Sequence, residues 1–592
     1  MPHPSVPKKL QERSNLIERA RDPVKQNVSD KLTGEIISAT IQELVAGIKE
    51  KRWTATQTVS AYIAQAIKAH DATNCLTEVL FDSAFKRAKE LDEEFTKTGE
   101  LCGPLHGVPL TFKDQYKIEG FDNTIGFTHW IDQHATQDAE LVAQARAMGG
   151  IPIAKTNVPQ TMMSFECVNP LWGRSTNPYS ADHTCGGSSG GEAAVLRFSG
   201  SALGMGSDIG GSLRLKPTDG RFSGRGAVGC VPGFMGVTTV YGPMARSVAD
   251  VKYACEIFFG RPAITPSATL PPVKYRTDLD FSKPFKIGYF KSDRFVRASP
   301  ACQRAVHESV KALEKEGHSC VEISPPDVVE MLKLFVELTS ADGYQTMMSH
   351  LQSDQQEPAL FLVTLGPRLP AFVRAITNLL VNTFIHDSTF AYLFGASRPR
   401  SVAELWEASA KRLAADSTLQ NHFWSQSAGA LGLDAIICPV QALPGLPHGA
   451  TKTLTPLAAG TIAWNVIECP VGVVPVTRVD SKLDALTNDW LGQEYEGPVL
   501  YPSPEKVVKE RTTSPSYMME RAVYGSGKRL LQPLDDPVPV YDAEKMEGLP
   551  VGVQIVGRPW EDEKVVHIME ALDKALGERD FMPTAGEEWK MA

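Results

Sequence analysis

Three short elements carry residue types that could do chemistry. Lys113 ends the run Gly107-Val-Pro-Leu-Thr-Phe-Lys, with Asp114 directly behind it. Ser188 and Ser189 sit at the centre of Cys185-Gly-Gly-Ser-Ser-Gly-Gly-Glu192, and Ser212 closes Ser207-Asp-Ile-Gly-Gly-Ser, followed by Leu213 and Arg214. A serine hydroxyl is a weak nucleophile at neutral pH and needs a base beside it to attack a carbonyl. No Ser/His/Asp grouping stands out in the chain. Taken singly, a Gly/Ser run reads as a flexible loop and a lysine as a solvated surface charge. Three such elements in this order, inside one compact region, read instead as a single constellation.

The surrounding pattern shows what must position them. Residues 101–250 are rich in Gly, Ser and short apolar runs such as Ile151–Ala154 and Ala202–Met205. Runs of this kind, ending in glycine turns, are the mark of buried strands whose turns carry reactive groups. Ahead of them, Ile41, Leu44, Val45 and Ile48, then Val59, Tyr62, Ile63 and Ile67, recur at helical spacing and predict a helix pair. Phe81 to Phe95 predicts a further amphipathic helix. Phe285–Phe290 and Cys320–Ile323 flank a helical stretch, Cys302–Glu316, in a β–α–β rhythm. Ala435–Pro439, Val471–Val476 and Val551–Val556 add buried strands. The expectation is an α/β fold, a large mixed twisted sheet covered by helices on both faces. Residues 1–32 read as a polar surface arm and 33–592 as a single domain, with an apolar cap-like segment at 359–400 and a Pro-rich surface insertion at 478–546.

Bulk properties exclude several function classes. The 592 residues are 42% hydrophobic and 22% charged, with a net charge of −9. A nucleic-acid partner would call for a basic face. Ten cysteines contain no C-x-x-C pair, so the residues support neither a zinc ribbon nor a redox dithiol. Free thiols fit a reducing, cytoplasmic location. No secretory signal and no run of 18 or more apolar residues is found. The 359–400 segment has two readings: a buried helix pair, or an exposed apolar cap, rimmed by Arg368, Arg374, Arg398 and Arg400, that touches intracellular membranes peripherally.

The chain resembles amidase-signature enzymes from about residue 36 to 577, most specifically in the Gly-Gly-Ser-Ser-Gly-Gly-Glu and Asp-Ile-Gly-Gly-Ser elements. Pro159-Gln-Thr-Met162, Arg398-Pro-Arg-Ser401 with Leu405-Trp406, Cys469-Pro-Val-Gly-Val-Val-Pro-Val476 and Gly548-Leu-Pro-Val-Gly-Val-Gln554 are similar to fatty acid amide hydrolases. Thr73-Asn-Cys75 and Gly103-Pro-Leu-His-Gly107 are also similar to fungal acetamidases. The resemblance implies hydrolysis of a small-molecule amide by a Lys113–Ser188–Ser212 triad, through an acyl-enzyme on Ser212, with no metal and no cofactor. Lys113 would act neutral, its pKa lowered by burial. The family also implies a cis peptide bond at Gly187–Ser188 and places Met162 beside the scissile carbonyl. Gly210 and Gly211 would let the N–H groups of Ile209, Gly210, Gly211 and Ser212 converge on the oxyanion. Ser189, Asp208 and Arg214 are expected in support, Asp208 capping the turn or pairing with Arg214. A homodimer is implied by analogy alone.

One departure stands out. The family continues from the nucleophile through further residues before Leu-Lys-Pro-Thr, whereas Arg214 here runs straight into Leu215. About ten residues are missing, at most roughly 36 Å of extended chain. This reads as a splicing or gene-model variant and predicts a poorly folded or inactive chain, since cores tolerate shortening less than loop tips do. Two alternatives to a fatty acyl amidase follow: a general amidase for short amides, and an inactive variant that keeps only a binding role.

Overall fold

The computed structural model describes residues 3–265, 270–493, 495–525 and 539–579. In chain order its main strands are β1 (Leu76–Val79), β2 (Pro109–Lys113), β3 (Ile151–Thr156), β4 (Leu203–Asp208), β5 (Leu215–Lys216), β6 (Val240–Met244), β7 (Lys286–Tyr289), β8 (Ser319–Glu322), β9 (Ala435–Pro439), β10 (Val471–Arg478) and β11 (Pro550–Val556). They form two mixed sheets, ordered β1-β3-β2-β4-β6 and β8-β7-β9-β11-β10-β5. The central trio of the first sheet is parallel, with β2 between β3 and β4. Strands buried on both faces favour the continuous apolar runs seen in the sequence. Every residue of β2, β3 and β4 is buried.

The mixed β-structure expected from the sequence is divided between these two sheets. The two sheets meet where β5 lies against β6, so closely that a Cβ on Gly242 would come within 2.5 Å of the Leu215 carbonyl oxygen. The connection after Ser212 runs straight into this joint. It delivers the chain directly into β5, which is only two residues long and pairs with β10 alone.

Residues 3–32 contribute to the core rather than forming only a surface arm; residues 1 and 2 lie outside the described residues. Helix α1 (Val6–Asn27) buries Ile17, Ala20 and Val24 in the main hydrophobic cluster. It packs on α2 (Ala55–Thr73), which begins at a Thr54–Gln57 capping box and ends at left-handed Asn74. The stripe is hard to see in the sequence because two of its positions are charged. Lys9 Nζ lies 2.7 Å from Glu78 and 2.8 Å from Asp122, all three side chains buried. Arg13 donates to the Leu76 carbonyl at 2.6 Å, its guanidinium stacked over Trp172.

Four more helices frame the site: α3 (Gly190–Arg197), α4 (Val328–Thr339), α5 (Ala371–Leu380) and α6 (Ser388–Ala396), with α7 (Ala459–Val466) behind them. The 359–400 segment divides between its two readings. α5 has no buried residue, and Phe372 and Leu379 are 67% and 63% exposed. Leu360, Leu393 and Phe394 are buried. The arginines do not all form a rim, because Arg400 pairs with Glu337 and Arg398 with Glu404. No single helix among the described residues is long and apolar enough to cross a membrane, although Pro358–Arg368 and Ala371–Ile385 pass that test as a bent pair. The 478–546 segment also reaches inward, burying Val499, Leu500, Tyr524 and Tyr541; residues 526–538 of it lie outside the described residues.

Candidate active site

Lys113 is the last residue of β2, at the carboxyl end of a parallel trio, where α/β sheets place their ligands. Its side chain is fully buried, on the strand face it shares with Thr111; Leu110 and Phe112, also buried, fall on the alternate face of β2. Its Nζ lies 2.6 Å from Ser188 Oγ and 2.9 Å from Ser207 Oγ. Ser207 Oγ donates to Gln115 Oε1 at 2.6 Å, so it must accept from the amine. Donating to Ser207, a neutral amine keeps a lone pair that can accept a proton from Ser188 across the 2.6 Å contact. Burial brings the amine down from its ordinary 10.5 to about 7, with Asp208 the largest opposing influence.

Ser188 Oγ is 3.2 Å from Ser212 Oγ, and the Ser188 N–H donates to Ser212 Oγ at 2.7 Å. The Gly187–Ser188 peptide bond is cis. Lys113, Ser188 and Ser212, separated widely in sequence, thus form one chain of hydrogen-bonding contacts. Ser189 precedes α3 and donates to the Ser207 carbonyl at 3.3 Å. Behind Ser188, the buried Glu192 carboxyl receives the hydroxyls of Thr111 (2.6 Å) and Thr156 (2.9 Å), and burial pushes it up to about 8.

The turn after β4 differs from expectation. Asp208 accepts the N–H groups of both Gly211 and Ser212 at 2.7 Å, and the side-chain amide of Asn465 at 2.7 Å. Two of the four N–H groups expected at the oxyanion are therefore turned toward Asp208, because the carboxylate sits directly beneath the turn it caps. The N–H groups of Ile209 and Gly210 donate to no protein acceptor among the described residues. Arg214 does not pair with Asp208; it donates to the carbonyls of Ala245 and Arg246.

Ser212 opens onto a cavity of about 1020 Å³, its mouth included. Met162, Ile209 and Gly210 line it together with Leu332, Phe335 and Ile462, joined by Leu362, Val363, Phe390 and Phe394 of the cap segment. Thr161 and Met162 both adopt left-handed backbone conformations, at φ 68° and 61°. Such geometry in residues other than glycine is strained and persists where the surroundings fix it.

The amidase family profile matches residues 57–566. The chain belongs to the amidase family. Among its relatives, fatty acid amide hydrolase 1 of Caenorhabditis elegans is 31% identical over 96% of this chain and 96% of its own length. An acetamidase of Aspergillus oryzae is 27% identical over 94% of this chain and 93% of its own. A solved fatty acid amide hydrolase shares the fold with a TM-score of 0.74 at 24% identity, covering 95% of this chain and 90% of that one. The protein is an amide hydrolase of the amidase-signature type.

Several residues around this amidase site were missed from sequence. Ser207 stood inside the Ser-Asp-Ile-Gly-Gly-Ser element without a role, and Gln115 lies two residues beyond Lys113. Their contact depends on β2 pairing with β4, a long-range register that no local pattern encodes. Asn465 and Thr461 come from α7, more than 250 residues away from the turn they touch.

Proposed function

We propose that this amidase hydrolyses hydrophobic, fatty-acyl-type amides to free acid and amine through an acyl-enzyme on Ser212. The observation that carries this reading is the large, mostly apolar cavity that Ser212 lines. Ser212 Oγ attacks the carbonyl carbon as its proton passes to Ser188 Oγ and the Ser188 proton passes to neutral Lys113. The N–H groups of Ile209 and Gly210 face the developing oxyanion; two backbone donors are the number used by Ser-His-Asp hydrolases. Collapse of the tetrahedral intermediate breaks the C–N bond, and the Lys113 proton returns through Ser188 to the leaving nitrogen. Water repeats the sequence on the ester, freeing the acid and restoring the Ser212 hydroxyl.

α5 exposes Phe372, Ile376 and Leu379, in the same 359–400 segment that contributes Leu362 and Val363 to the cavity wall. This arrangement suits a helix that lies on a membrane surface and passes an apolar substrate inward. A series of amides with growing acyl chains tests the substrate class. Each buried methylene is worth about 0.8 kcal/mol, or roughly fourfold, so kcat/KM should climb steeply with chain length. Acetamide turning over faster than a long-chain amide would overturn the reading in favour of a short-amide enzyme. A serine-directed fluorophosphonate should label the wild type and not Ser212→Ala; an unlabelled wild type would mean the chain is not a hydrolase.

A further inference from the structure

The turn that carries Ser212 has almost no regular structure of its own. It spans residues 209–214 between β4 and β5, contains Gly210 and Gly211, and passes through φ 119° at Gly211, a conformation only glycine adopts readily. A segment so permissive must be held from outside. Helix α7 does this with two side chains one helical turn apart, which therefore share a face. Thr461 Oγ1 donates to the Gly210 carbonyl at 2.5 Å. Asn465 Nδ2 donates to Asp208 Oδ1 at 2.7 Å, and the same oxygen accepts the Gly211 N–H. The fit is close: a Cβ on Gly211 would come within 2.4 Å of Thr461.

The Gly210 carbonyl and the Gly211 N–H belong to one planar peptide group and point in opposite directions. Thr461 holds its oxygen end. Asp208, itself held by Asn465, takes its N–H end. A peptide plane pinned at both ends fixes the ψ of Gly210 and the φ of Gly211. This in turn sets where the free Gly210 N–H points and how Ser212 Oγ meets Ser188. Asn465 is buried, and its amide contacts the carboxylate, not the cavity.

We infer that Thr461 and Asn465 are positioning residues that lock the Gly210–Gly211 peptide and thereby aim the oxyanion donor and the nucleophile. The inference rests on Ser212 being the nucleophile. The lock is felt when negative charge develops on the carbonyl oxygen, so its loss should fall on kcat and spare KM. Removing a whole oxyanion donor costs about 100- to 1000-fold; loosening one should cost less, about 10- to 100-fold.

Thr461→Val keeps the shape and loses the hydroxyl, whereas Thr461→Ser keeps the hydroxyl. Thr461→Val and Asn465→Leu should each lower kcat about 10- to 100-fold with KM within about twofold, and Thr461→Ser should stay near wild type. Affinity for a trifluoromethyl ketone, which forms a tetrahedral adduct on serine, should fall in step with kcat. Hydrogen exchange of the peptide covering residues 208–214 should quicken in Thr461→Val, a readout that needs no turnover. Unchanged exchange and unchanged kcat in Thr461→Val would overturn the inference while leaving the hydrolase reading intact. So would equal losses in Thr461→Val and Thr461→Ser. Failure of the wild type to react with fluorophosphonate would instead sink the hydrolase reading, and the exchange measurement would still decide whether α7 locks the turn.

Discussion

Lys113 and Glu192 are two buried ionisable groups close enough to influence each other, and burial drives both toward their neutral forms. For Lys113, the folded value of about 7 lies below the ordinary 10.5. Between those values the unfolded chain binds a proton that the folded chain does not, so this group makes stability rise with pH from about 7 to about 10.5. Activity should rise with pH through about 7 as the amine loses its proton. Lys113→Met should flatten the stability trend and lower kcat by about 100-fold or more, measurable by denaturation and initial rates across pH. A pH–rate profile flat from pH 6 to 9 would remove the case for an amine base. Glu192 behaves oppositely: its folded value of about 8 exceeds the ordinary 4.5. The folded chain there keeps a proton that the unfolded chain releases, so the group's contribution to stability is lost as pH rises through about 8. Glu192→Gln replaces a neutral acid with a neutral amide. It should remove that loss in denaturation curves and leave kcat within a few-fold, with Thr111 and Thr156 still able to bond the new side chain.

At the level of elements, α1 and α5 make contrasting predictions. Lys9 reaches from α1 to two buried carboxylates, Glu78 and Asp122. Removing one partner of a buried ion pair leaves the others uncompensated and typically costs about 3–5 kcal/mol. Lys9→Met should therefore lower stability to chemical denaturant substantially; a change near zero would show that the carboxylates neutralise or hydrate at no cost. α5, by contrast, buries nothing, so charges placed on it should leave the fold alone. Phe372→Glu together with Ile376→Glu should reduce co-sedimentation with phosphatidylcholine vesicles while short-amide turnover stays constant. Equal sedimentation of both proteins would count against a membrane-facing cap. The two helices also mark how far sequence reading carries. α5 was legible as apolar, but exposure depends on what packs above it. α1 was legible as polar, yet the partners that make Lys9 and Arg13 core residues lie on β1, in the loop after β2, and at Trp172.

On the scale of the whole molecule, the two sheets meet beside the turn that carries Ser212, where the sequence reading expects about ten missing residues. Arg214, at the turn's end, is half-buried, with Nε and Nη2 shielded from solvent and lacking an acceptor among the described residues. An unsatisfied buried polar group typically costs about 1–3 kcal/mol, and more when charged. Restoring about ten residues between Arg214 and Leu215 should raise the melting temperature and the rate of fluorophosphonate labelling. Identical behaviour of the two chains would make the short joint a stable solution in its own right. The sequence by itself determined the residue types that can react, the alternation of buried strands and helices, and the amidase-family membership, because glycine-rich turns and apolar runs are local patterns. Only the tertiary structure decided that Ser207, fixed by Gln115, meets the Lys113 amine, and that Thr461 and Asn465 of α7 grip the turn. Those are contacts between residues far apart in the chain, fixed by sheet register and helix packing, and no window of sequence contains both partners.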